Sequence, residues 1–178
     1  VHEVVGSWKD ALWGGGYQKT LPVPFDNMSF VGQGERETIV EGGFVVEKGR
    51  TVSFEGVTVK DSSWHGLFAS GAGTQVVLQN MNVENNQYSG VVVYEGAQLV
   101  ATECHFHQNG VYGVWVDGST TTARLTNCTS HHNKGDGVFA VSGAVVDLMG
   151  EGTSVHDNEG HGLSAFFGGS TINVYQPC

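Results

Sequence analysis

Residues 131–136 read His-His-Asn-Lys-Gly-Asp, placing two imidazoles, an amide, an ammonium and a carboxylate within six positions. That is the mixture an acid/base site draws on. Asp136 is its centre, because Tyr112 and His161 stand at equivalent positions before and after it, with Ser89 and His65 earlier in the same series. A carboxylate between a phenol and an imidazole can orient or ionise both, so Asp136, His161, Tyr112 and His65 form the candidate catalytic set. The alternative for the same residues is an exposed turn that accepts any polar side chain. A second group is apolar: Phe68, Tyr94, Trp115 and Phe139, with Asp117 beside them, would present rings on which a sugar stacks or a protein docks. Packing of those rings against a loop or the N-terminal segment is the competing explanation.

A third group is His107, His131 and His156, with His105 and His132 nearby. Converging imidazoles bind zinc or copper, but these lack a local chelate spacing. The expectation is therefore no metal, and a patch that charges below about pH 6.5.

What positions these groups is a repeat. "SSWHGLFASGA", "NQYSGVVVYEGA", "NGVYGVWVDGS", "NKGDGVFAVSGA" and "NEGHGLSAFFGG" align on Gly66, Gly90, Gly113, Gly137 and Gly162, which are 24, 23, 24 and 25 residues apart. Four positions before each glycine stand Ser62, Asn86, Asn109, Asn133 and Asn158, and each block ends in a second glycine turn. A unit this short buries little alone, so copies above and below must cover it. Within each unit apolar and polar residues alternate, as in Val114-Trp115-Val116-Asp117, which predicts short strands. Short strands recurring once per unit predict a parallel β-helix, with the asparagines stacked as an inward ladder at one turn. Leu67, Val91, Val114, Val138 and Leu163 then face in, and Phe68, Val92, Trp115, Phe139 and Ser164 face out.

The unit Asn-x-x-x-Gly-Val-x-Val/Ala with its glycine turn resembles the right-handed parallel β-helix repeat of the pectin-lyase-like superfamily, and "DNMSFVGQGERETIVEGG" is similar to the first coils of such proteins. The resemblance implies an all-β solenoid of about six to seven coils, a capping segment over residues 1–25 and a β-helix domain over 26–178. Val4 to Leu12 would form a short helix in the cap, which blocks end-to-end strand pairing; Phe166, Phe167, Val174 and Tyr175 would serve the other end. The fold hosts lyases, hydrolases, esterases, epimerases and non-catalytic modules, so it does not fix the activity. Gly160-His161-Gly162 resembles the Gly-His-Gly motif of polygalacturonase-like hydrolases, but the Asn-Thr-Asp and Asp-Asp pairs that accompany it there are absent. Also absent are the Asp-Pro-His of a mannuronan epimerase and the Arg-Pro-x-x-Arg of a pectate lyase.

Composition narrows the partners. Eighteen Asp and Glu against eight Lys and Arg give a net charge of −10, which argues against nucleic acid. The same shortage of cations disfavours uronate polysaccharides unless Ca2+ bridges them. No apolar run is long enough for a membrane span. Sequons at Asn27 and Asn127 fit a secreted protein, and the N-terminus shows no signal-peptide pattern. Cys104 and Cys128 are equivalent positions of adjacent units, either bridged or buried as free thiols, with Cys178 left over. Together these observations lead to an extracellular β-helix module that binds glycan through Phe68, Tyr94, Trp115, Phe139 and Asp117. The alternatives are a polysaccharide-modifying hydrolase, lyase or epimerase built on Asp136, and a scaffold that contacts proteins.

Overall fold

The computed structural model describes residues 20–175, and all their regular elements are strands. The expected helix at Val4–Leu12 and Cys178 lie outside the described residues. Three strands per coil stack into three parallel sheets. The first sheet is formed by Thr20–Pro22, Gly43–Val46, Leu67–Ser70, Val91–Tyr94, Val114–Asp117, Val138–Val141 and Leu163–Phe166; the second runs from Met28–Val31 to Thr171–Tyr175 and the third from Ile39–Glu41 to Ser154–His156. This is a parallel β-helix of about six coils, as the period predicts. The stack also extends two coils further toward the N-terminus than the aligned glycines, because Gly43–Val46 pairs with Leu67–Ser70 and Thr20–Pro22 pairs with Gly43–Val46.

Register follows the repeat. Leu67, Val91, Val114, Val138 and Leu163 occupy one row, and Phe68, Val92, Trp115, Phe139 and Ser164 the next. Inward rows of Val, Leu and Ala fill the lumen, while Phe30, Phe44 and Phe54 close its N-terminal part with ring centroids 4.8–5.2 Å apart. Rows of like residues pack because each inward side chain meets its own kind one coil away.

The turn from the third sheet to the first carries the asparagine ladder. Asn109 Oδ1 accepts from the backbone N–H and Nδ2 of Asn86 at 3.2 and 2.9 Å; Asn133 and Asn158 accept in the same way from Asn109 and Asn133. The Nδ2 groups of Asn109, Asn133 and Asn158 also donate to strand carbonyls, those of Val83, Phe106 and Ser130. Asn86, Asn109 and Asn133 are fully buried, and their amides are satisfied along the solenoid axis. Beside the ladder the repeat glycines are required by close approach rather than by φ. A Cβ on Gly90 would lie 2.7 Å from the Gly113 carbonyl, and one on Gly113 would lie 2.6 Å from that of Gly137 and also strike the Ser130 hydroxyl. Gly162, in the last coil, would meet nothing closer than 3.7 Å.

Candidate functional site

The position before each repeat glycine, where the acid/base candidates lie, has a structural task. Asp136 Oδ1 accepts the backbone N–H of His161 at 2.6 Å, His65 Nδ1 accepts that of Ser89 at 3.1 Å, and Ser89 Oγ accepts that of Tyr112 at 3.4 Å. In these coils the side chain supplies the acceptor for the next coil's N–H at the bend. Asp136 and His65 are consequently buried, 8% and 7% exposed, rather than displayed on an open turn. Burial pulls the His65 imidazole down to about pH 4, and the Ser89 N–H donated to Nδ1 likewise suits the neutral ring. With Nδ1 accepting, its proton sits on Nε2.

Three of the four candidates come together. His161 Nδ1 lies 3.4 Å from Asp136 Oδ1 and its side chain is exposed. Tyr112 is neighbour to Asp136 in the preceding coil, and burial, reinforced by the Asp136 carboxylate, pushes its phenol up. His65 stands apart, ringed by Trp64, Phe68, Tyr88 and Trp115 with centroids 4.5–6.3 Å away.

The aromatic residues form a strip along the first sheet in two groups, bridged by the His65 ring where the intervening coil carries Val92. Trp64 packs on Phe68 at 4.9 Å, Phe68 reaches Tyr94 at 6.5 Å, Trp115 meets Tyr112 and Phe139 edge-on at 5.9 and 6.5 Å, and Tyr112 stacks on Phe139 at 4.6 Å. Phe139 continues to Phe166 and Phe167. All four predicted ring residues belong to it, and Asp117 lies beside Tyr94 in register. The facing expected for Val92 is right, but its accessibility is not: between Phe68 and Trp115 in register it is only 2% exposed. Trp64, Tyr88 and Phe166 were not anticipated as members. The first two share a position two residues before the glycine, a signal visible in the repeat but carried by only two coils. Trp115 Nε1 is buried without a hydrogen-bond partner among the described residues. No strand of the first sheet carries Lys or Arg.

On the third sheet the histidines stack as columns. His107, His131 and His156 lie face to face, with centroids 4.8 and 5.1 Å apart and planes within 9°. Parallel rings aim their nitrogens side by side instead of at a common point, and among the described residues no three His, Cys, Asp or Glu groups are placed to hold a metal. His131 and His132 face each other Nδ1 to Nδ1 at 2.8 Å, sharing one proton. Burial, with smaller repulsions from His107, His156 and His132, holds His131 down to about pH 4. Cys104 and Cys128 are both buried and free.

Residues 35–176 match the family model described as right handed beta helix region. No curated protein matches the chain. Among solved structures the chain is similar to the A-module of a mannuronan C-5 epimerase of Azotobacter vinelandii, with a TM-score of 0.55 and 17% identity over 88% of this chain and 46% of that one. A likeness at that identity shows the fold, and the chain spans less than half the length of that module.

Proposed function

The chain belongs to the right-handed β-helix family, and on that footing we propose that the first-sheet face is a carbohydrate-binding surface of an extracellular recognition module. The observation that carries this reading is the pair of aromatic groups along the first sheet, bridged by His65, with Asp117 and Tyr94 side by side at the margin. Aromatic faces suit the C–H faces of pyranose rings, and polar groups at the edge suit their hydroxyls. The absence of Lys and Arg from these strands favours a neutral glycan over a uronate, which would need Ca2+ as a bridge.

The test is titration of neutral and uronate polysaccharides, with and without Ca2+, followed by sugar line broadening in proton NMR. Broadening by neutral glycans that Trp115→Ala abolishes, with the fold intact by circular dichroism, is the expected result. Unchanged lines throughout would sink the reading and turn attention to a protein partner for the same face. A second reading, a polysaccharide-modifying enzyme, is favoured by the contact between Asp136 and the exposed His161 imidazole beside Tyr112. It predicts new anomeric or unsaturated-sugar signals in the same spectra, lost in His161→Ala. Their absence removes it.

A further inference from the structure

The corner between the second and third sheets carries a column of sulfur that neither face uses. Each coil bends there at a residue with positive φ, Asn80 (49°), Glu103 (53°) or Asn127 (52°), and the next residue points inward: Met81, Cys104 and Cys128, which are 0%, 0% and 3% exposed. Because His105 pairs with Thr129, Cys104 and Cys128 are direct neighbours one coil apart. Adjacent strands lie about 4.8 Å apart, inside the Cα separation of about 4.4–6.8 Å that a disulfide spans.

We propose that Cys104 and Cys128 are an oxidisable pair that closes one complete coil with a disulfide. Their present hydrogen bonds do not oppose this. Cys104 Sγ donates to the Thr102 carbonyl at 3.2 Å, and Cys128 Sγ reaches the Thr126 and Ala101 carbonyls at 3.4 and 3.5 Å. The Thr102 and Thr126 carbonyls already accept backbone N–H groups, those of Asn80 and Glu103 at 3.1 and 2.9 Å. Ala101 lies within the second-sheet ladder. Removing the two S–H donors therefore orphans no carbonyl at the bend. The reaction is exchange with a small disulfide such as oxidised glutathione. One protein thiolate attacks an oxidant sulfur and expels a glutathione thiolate. The second then attacks the protein sulfur of the mixed disulfide and expels the other. The two cysteines lose two protons and two electrons, and the oxidant becomes two thiols. Both sulfurs are buried in the finished solenoid, so the exchange takes place while this coil is folding or locally open.

The test uses the Cys178→Ser chain refolded with oxidised glutathione and then alkylated in denaturant without reductant. The expected result is no alkylated cysteine, a mass lower by two hydrogens, a linked 104–128 peptide, and a thermal midpoint several degrees above that of the reduced protein. Reductant should return the midpoint, and Cys104→Ala should show no response to the oxidant. Alkylation at both positions after refolding overturns the proposal. So does a linkage obtained only when Cys178 is present.

Discussion

The first and third sheets repeat at the same spacing, yet their outward rows behave in opposite ways. On the first, side chains of different size and angle interlock, so that Trp115 stands edge-on to Tyr112 and Phe139 while Val92 disappears beneath its neighbours. On the third, His107, His131 and His156 are identical and stack in parallel, each joined through Nδ1 to the residue that follows it, Gln108, His132 or Asp157. Mixed rings make an apolar cover whose single imidazole, His65, is buried. Identical imidazoles place titratable groups one coil apart, and burial, with smaller repulsions from its neighbours, holds the central His131 neutral down to about pH 4. The lattice of the solenoid sets the distance between side chains; their identity decides whether that distance yields a dry surface or a titratable one.

The substitution with the largest expected effect removes the distinction by breaking the turn that joins the faces. Gly113→Ala forces a Cβ against the Gly137 carbonyl and the Ser130 hydroxyl, and should cost about 3 kcal/mol or more, or prevent folding. Chemical denaturation measures it; a loss below about 1 kcal/mol would mean that the coils separate easily. Asn109→Ala should cost about 1–3 kcal/mol by orphaning the Asn86 N–H and the Val83 carbonyl contact. Both faces should weaken together, since the ladder lies between them.

Smaller changes separate the faces. Phe139→Ala opens a half-buried contact with Tyr112 and Trp115 and should cost about 1–2 kcal/mol equally at pH 7 and pH 5. His131→Ser should change stability at pH 7 by no more than about 0.5 kcal/mol, but should flatten its acid dependence. The folded His131 and His65 titrate near pH 4, below the ordinary value of 6.5, so between those values the unfolded chain binds more protons. Stability is therefore full above about pH 6.5 and falls as pH drops toward 4. Thermal midpoints across that window in His131→Ser and wild type check this; identical slopes would assign the acid loss to His65 instead.

The elements legible in the sequence were those enforced in every coil. Gly90 and Gly113 repeat because no Cβ fits, and Asn109 and Asn133 repeat because only a carboxamide both accepts from one coil and donates to another. The task of Asp136 was hidden for the converse reason: histidine, serine and aspartate each accept an N–H there, so the column has a shared geometry without a shared residue type. Phe30, Phe44 and Phe54 escaped notice because they sit in coils where the asparagine ladder has not begun. Tyr88 and Trp64 lie in the turn instead of the alternating strand, where period-two reading does not look.

The freedom around Gly162 has a consequence for heredity. Inside the stack each glycine is held by the coil that follows, whereas Gly162 has space above it and the inward Leu163 is 39% exposed. Among the described residues, each first-sheet strand is specified by its pairing with the strands beside it and not by its place in the count. Copying or excising a whole repeat in the gene, for instance residues 91–113, brings Gly90 to Val114 and restores every row in its proper place. Slippage by one unit is thus nearly silent in geometry, and length is the property that such a chain can change most readily while each surviving residue keeps its surroundings.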